Sequence, residues 1–141
     1  MYIINVEGAI YHEGKWLIIK RSEQEEHAPG MLSLVGGKVE SKGFNDDVLE
    51  LALIREIKEE VDIEIWDIHY LESKTFMTDQ GEAVVDIVFT CHYASGTPRC
   101  VSNEEVSEIH WMSTNEILNN EKAPDYLKET IKKADLSINP A

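Results

Sequence analysis

The stretch LALIREIKEEVDI, Leu51 to Ile63, decides how the rest of the chain is read. Its apolar residues recur at helical spacing, so that Leu51, Ile54, Ile57 and Val61 fall on one side of a helix and form the stripe expected to pack on a sheet. Glu56, Glu59 and Glu60 fall on the other side, within roughly 100° of arc at the α-helical pitch. Like charges three and four residues apart repel by roughly 0.2–0.5 kcal/mol per pair. Such a face therefore needs open solvent or a cation opposite it. Ala52 lies among the glutamates, small enough to let a loop backbone come close.

Upstream, MLSLV reads as a short strand running into Gly36-Gly37. Two glycines let a turn bring bare backbone carbonyls against another element. Carbonyl and carboxylate oxygens converging on one point suit a hard divalent cation, Mg²⁺ or Mn²⁺. In that reading the metal offsets the repulsion among the three glutamates.

Composition narrows the rest. A chain of 141 residues, 43% apolar and 28% charged, is expected to close one core as a single domain over 1–141. The 27 acidic against 13 basic side chains give a net charge of −14, which repels nucleic acid and anionic membranes at long range. Cys91 and Cys100 do not form a C-x-x-C pair and are expected to be reduced thiols. The segment MYIINVEGAI has no basic start and contains Asn5 and Glu7, so it does not read as a signal peptide. No apolar run approaches the ~20 residues of a membrane span. A cytoplasmic protein is expected.

Along the chain, 2–11 and 15–21 are β-rich runs joined at Gly14, a hairpin signal. A helix is expected from about Val48 to Val61. IEIWDIHYLES and AVVDIVFTCHYA read as strands, the second apolar on both faces and so central in the sheet. EIHWM is a last strand. STNEILNN starts a helix capped by Ser113 or Thr114 with Glu116 favourable beside it. APDYLKETIKKAD is a terminal helix with Pro124 at its start. Strands outnumber helices and the longest helix lies between strands, which predicts a mixed sheet with helices on its faces.

The run from Gly37 to Ile63, GKVESKGFNDDVLELALIREIKEEVDI, resembles the signature box of the Nudix hydrolases, with Arg55, Glu56, Ile57, Glu59, Glu60 and Ile63 in order and spacing. Gly36-Gly37 and the KVE that follows match as well, and the flanks LIIKR, SGTP and EEVSEIHWM are similar to the family layout. Three positions depart from it. Asp47 stands eight before Arg55 where the family has glutamate, after a loop four residues longer, and DVLE also reads as a capping box. Asp62 stands where the family has glycine, and aspartate tolerates the left-handed conformation better than most residues. SLVGG lacks the proline common before the two glycines.

The resemblance implies an α/β/α sandwich with a mixed central sheet and a hydrolase acting on a phosphoanhydride bond. Its substrate would be a nucleoside diphosphate linked to another group, as in a nucleoside triphosphate or nucleotide sugar. Mg²⁺ or Mn²⁺ is implied as cofactor, held by Glu56 and Glu60 with help from Glu59 and the Gly36 carbonyl. Arg55 would orient Glu56 or a partner carboxylate, or pair with Glu59. The general base stays open among Glu56, Glu59, Glu105, Glu104 and Glu82. Lys20, Arg21 and Lys38 are candidates for the substrate phosphates, and Trp16, Phe76 and Trp111 for stacking on a base or for the core. His12, His27, His69, His92 and His110 have no companion that suggests zinc. A second reading keeps the fold as a nucleotide-binding or sensor domain with weak turnover. Oligomeric state stays open, a homodimer included.

Overall fold

The predicted hairpin is present. β1 (Ile3–His12) and β2 (Lys15–Arg21) are joined by Glu13 and Gly14, both at positive φ, as a tight turn matched to strand twist requires. In this computed structural model, residues 1–25, 28–40 and 43–140 are described.

MLSLV, read above as one strand, belongs to two. β3 (Leu32–Ser33) pairs with β2, whereas β4 (Val35–Lys38) pairs with β1. The chain changes partner at Leu34, whose carbonyl accepts the Ser33 hydroxyl at 2.6 Å. Apolar continuity conceals this switch, because each side of it is buried. The consequence is a fork. β1 is paired with β4 along Asn5–Gly8 and with β2 at Tyr11 and His12, so one edge of β1 is shared by two strands.

The remaining elements are α1 (Val48–Val61), β5 (Glu64–Met77), β6 (Ala83–Ser95), β7 (Val106–Met112), α2 (Thr114–Leu118) and α3 (Asp125–Ile138). β6 lies between β1 and β5, parallel to the first and antiparallel to the second, so it is the central strand its double-sided apolar pattern predicts. β7 closes on the far edge of β2. The sheet is mixed, as expected.

Alternation along the strands sorts side chains into two cores. Val6, Ile10, Leu17, Ile19, Phe89 and Cys91 meet α1 on one face. Ala9, Trp16, Ile18 and Val88 meet Ile117 of α2 and Leu127, Ile131 and Ala134 of α3 on the other. This is the α/β/α sandwich. Ser113 caps α2 through a reciprocal capping box with Glu116, and Pro124 precedes the first turn of α3. Among the described residues no helix is long and apolar enough to cross a membrane.

The buried face of α1 is not the expected stripe. Its buried residues are Ala52, Leu53, Ile57 and Val61, while Leu51 is 55% exposed. At about 100° per residue, Glu56 and Glu60 therefore fall inside the arc from Ala52 to Val61 that faces the sheet. They are not on a separate face. The stripe of Leu51, Ile54, Ile57 and Val61 is equally apolar in sequence, but the fork admits carboxylates at one end of the packed face and leaves Leu51 outside. Ala52 serves the core.

The two helix ends also resolve. Asp47 occupies the N-cap position in a left-handed conformation (φ 53°) and its side chain makes no capping hydrogen bond, so the expected capping box is absent. Asp62 is left-handed at the C-cap (φ 59°), as its place in the motif anticipates, and accepts Arg99 Nε at 2.9 Å.

Candidate active site

The fork holds the site. Strand β2 supplies Ile19 and Arg21, β4 supplies Gly36, Gly37 and Lys38, and α1 presents Glu56 and Glu60, all lining one hollow of about 370 Å³ with Glu105 at its rim. Crevices where a strand edge changes partner are natural ligand sites, because backbone and side chains from separate elements converge there.

Glu56 is packed against the diglycine strand. A Cβ on Gly37 would lie 2.3 Å from Glu56 Oε2, so glycine is required for this approach. Gly36 is equally constrained, since its Cβ would lie 2.0 Å from the Val6 carbonyl. Arg55 then fixes the arrangement. It donates to Glu56 Oε1 at 3.1 Å, to the Lys38 carbonyl at 3.2 Å and to the Glu40 carbonyl at 3.0 Å, tying helix, strand and loop together. Its Nε lies 3.9 Å from Glu59 Oε1. The expected contacts of Arg55 with Glu56 and with Glu59 are both present, and its remaining hydrogen bonds go to the Lys38 and Glu40 carbonyls.

Electrostatics single out Glu60. Burial, then the charge and hydrogen bond of Glu105, then the charge of Glu56, push its carboxyl up to about 9, with Arg21 opposing. Its Oε2 is buried and lacks a hydrogen-bond partner among the described residues. Glu56 is also raised, mainly by burial, with the Arg55 hydrogen bond opposing and the charges of Glu59 and Glu105 adding to it. Such upward shifts mark groups that need a cation or a proton.

The site fits a hard divalent cation on these observations. The donors are carboxylate and backbone oxygens, and one buried carboxylate oxygen is left unsatisfied. Among the described residues no three carboxylate, imidazole or thiol side chains are already gathered as a metal cage. What converges is Glu56 and Glu60 of the helix with the Gly36-Gly37 backbone, and Glu7, Glu25 and Glu105 line the same hollow.

Other expected residues separate from this group. Glu59 is exposed and turned toward Arg55, away from the hollow's lining. Lys20 follows Ile18 to the α2 side, where it bonds Glu108 at 3.2 Å and lines a different hollow with Glu116 and Lys122. Its neighbour Arg21 goes to the site because adjacent strand residues face opposite ways. Lys38 lines the hollow, while Glu82 and Glu104 are exposed outside it. Trp16 is core, with its indole N–H donating to Thr114 Oγ1 at 3.0 Å. Trp111 is half-buried against Tyr93 and His12. Phe76 lines a second hollow with Met77 and Tyr126. Cys91 and Cys100 are free thiols, and burial pushes Cys91 up to about 12. His27 lies outside the described residues.

Sequence reasoning missed Glu7 and Asp86. Glu7 on β1 lines the hollow from beneath, and burial, followed by the hydrogen bond and charge of Asp86, holds its carboxyl well above the usual range. Asp86, 2% exposed on β6, accepts Asn5 Nδ2 at 2.9 Å. The available signal was an acid inside each of two otherwise apolar strands, IINVEGAI and AVVDIVFT.

Comparison with known proteins agrees with this geometry. A family model for the NUDIX domain matches residues 1–133. The chain is 34% identical over 118 residues to the Nudix hydrolase YfcD of Salmonella typhi, covering 82% of this chain and 60% of the relative. The Escherichia coli K12 counterpart is 33% identical over the same length, with 62% of it covered. The chain thus spans about three fifths of the length of these curated relatives. Among solved structures, the MutT NUDIX hydrolase of Burkholderia pseudomallei superposes with a TM-score of 0.80 at 25% identity, covering 94% of this chain and 98% of that one. The MutT protein of Methanosarcina mazei Go1 gives 0.79 at 28% identity, covering 98% and 96%. A forked mixed sheet, a diglycine strand and an R-E-hydrophobic-x-E-E helix over this span have one common explanation: the chain belongs to the Nudix family.

Proposed function

We propose that the chain is a divalent-metal-dependent hydrolase that cleaves the pyrophosphate bond of a nucleoside diphosphate linked to another group, in the nucleoside triphosphate or nucleotide-sugar class. The observation that carries this reading is the unpartnered, buried Glu60 Oε2 beside Glu56 and Glu105 in the fork. Three acids around a hollow repel a diphosphate unless a cation intervenes. Glu56, Glu60 and the Gly36 carbonyl would hold Mg²⁺ or Mn²⁺, which when bound neutralises phosphate charge and acidifies water.

The chain's own groups supply the rest. Arg55 holds Glu56 against Gly37 and restricts its carboxylate to one orientation. Arg21 and Lys38 present positive charge to phosphate oxygens at the mouth of the hollow. Glu105, exposed at the rim and linked to Glu60, accepts a proton from attacking water in this reading. Glu59 acts from outside by sharing Arg55.

The test is release of phosphate or nucleoside monophosphate from a panel of nucleoside diphosphate derivatives with Mg²⁺ or Mn²⁺. Wild type should turn over at least one substrate and Glu60→Gln should not. Absence of turnover by folded, metal-loaded wild type across the panel would sink the hydrolase reading. One observation favours the second reading of a weakly active binding domain: Asp47 replaces the motif glutamate and makes no side-chain cap. A neighbour of similar fold, the NUDIX domain of Shewanella oneidensis NrtR, was solved with ADP ribose, at 20% identity. Stabilisation by a nucleotide with no product formed would support that alternative.

A further inference from the structure

The segment between β6 and β7 carries Glu105 and is seated on the C-terminal end of α1. Arg99 N–H donates to the Val61 carbonyl at 3.0 Å, and Val101 N–H to the Glu60 carbonyl at 3.1 Å. These are two of the carbonyls that a helix end leaves without an intrahelical partner. Gly96 permits the approach, since a Cβ there would lie 2.9 Å from the Asp62 carbonyl oxygen. Glu60 is therefore gripped twice by one segment, at its carbonyl by Val101 and at its carboxyl by Glu105.

A turn closes the segment. The Ser102 carbonyl accepts the Glu105 and Val106 amides at 3.1 and 2.9 Å, and the Glu105 carbonyl accepts Ser22 N–H at 3.0 Å. Glu105 is thus tied to the end of β2 on one side and, through Val101 and Arg99, to α1 on the other.

Main-chain bonds to helix-end carbonyls carry no sequence information. A slip of the segment by one residue would offer the same carbonyls a different amide and move Glu105 by about 3.3 Å. A side-chain pair distinguishes the observed register. Arg99 Nε donates to Asp62 Oδ2 at 2.9 Å, while Lys58 Nζ lies 3.1 Å from Oδ1. Arg99 first, and then Lys58, hold the Asp62 carboxyl below the usual carboxylate range. Glycine would adopt the φ of 59° at Asp62 with less strain, but it could not reach Arg99.

Resting on the proposed hydrolase reading with Glu105 as proton acceptor, we propose that Asp62 and Arg99 are positioning residues that set the β6–β7 segment in register on α1 and so hold Glu105 beside Glu60. Neither lines the hollow. The pair is open to solvent, with Arg99 64% and Asp62 32% exposed, and a surface ion pair adds little to global stability. Its effect is on placement.

Asp62→Gly separates this role from a purely local one. A residue needed only for the left-handed turn is replaced well by glycine, so Tm should be retained in either case. The positioning role expects kcat to fall by about fivefold or more, with KM unchanged. Arg99→Ala should give the same loss, and the double variant no greater loss than either single one. Asp62→Asn keeps an acceptor for Arg99 and tolerates the left-handed conformation, so it should rescue most of kcat. Lys58→Ala removes a partner on the helix itself and should leave kcat unchanged. Amide hydrogen exchange reads the same contact without turnover. Asp62→Gly and Arg99→Ala should each speed exchange at Val101 and Glu105 by about fivefold, and Lys58→Ala should not. Unchanged kcat in Asp62→Gly, or a loss confined to KM, overturns the positioning role and leaves the hydrolase reading intact. Faster exchange at Val101 and Glu105 in a protein whose wild type hydrolyses nothing supports the register set by the pair and overturns the hydrolase reading.

Discussion

Gly37 and Glu56 are in direct apposition: a methyl group on the glycine would stand 2.3 Å from the carboxylate oxygen Oε2. The diglycine strand is thus the wall against which the helix glutamate is set. Arg55 closes the other side by bonding Oε1 at 3.1 Å.

Gly37→Ala must therefore displace Glu56. The expected outcome is a loss of about 10²-fold in kcat, the effect of an ångström-scale misplacement, with the fold retained. Steady-state kinetics beside circular dichroism checks it, and retained kcat would contradict the apposition.

Glu60 makes the metal-free protein sensitive to alkali. Its carboxyl is raised from 4.5 to about 9. A group raised on folding contributes stability that is complete below the unfolded value and is lost as pH climbs through the folded one. Stability of metal-free protein should fall between about pH 4.5 and 9. Glu60→Gln should flatten that slope and raise stability at pH 8 by on the order of 1–3 kcal/mol, measured by urea denaturation in chelator.

Cation uptake should reverse this trend. A proton held by Glu60 must leave before the oxygen can serve a metal, so binding of Mg²⁺ or Mn²⁺ should release protons and strengthen as pH rises from 6 toward 9. Calorimetry in two buffers of different ionisation enthalpy reads the proton count. Identical heats in both would exclude the exchange.

Lys20 and Arg21 should behave differently although adjacent. Lys20→Ala should leave KM unchanged and alter stability by no more than about 0.5 kcal/mol, as expected of a surface position. Arg21→Ala removes a cation from the hollow and should raise KM for diphosphate substrates about tenfold. Equal effects would mean that the strand faces are assigned wrongly.

Arg55→Lys should not restore what Arg55→Ala loses. Only a guanidinium can reach Glu56 and the Lys38 and Glu40 carbonyls at once. With the side chain 37% exposed, the stability loss for either variant should be about 1–2 kcal/mol. Thermal denaturation and kcat measured together test it.

What the sequence settled by itself was local. The spacing of Arg55, Glu56 and Glu60, the pair Gly36-Gly37, the hairpin through Gly14 and a helix cap at Ser113 or Thr114 each depend on residues a few positions apart, where helix pitch, strand alternation and glycine freedom act directly. The left-handed Asp62 was readable for the same reason. Which helix face is buried was not, because the 3.6-residue period gives two plausible apolar stripes and only contact with Val6, Ile10 and Leu17 chooses Leu53 over Leu51. The meeting of Glu7 with Asp86, and the choice of Arg21 over Lys20 for the side that faces the site, likewise followed from pairing between strands up to some eighty positions apart in sequence. The fork in β1's edge, made by a partner switch at Leu34, has no local signature, since hydrogen bonding between distant strands creates it. Tertiary structure therefore decided where the acids meet and what lies behind them.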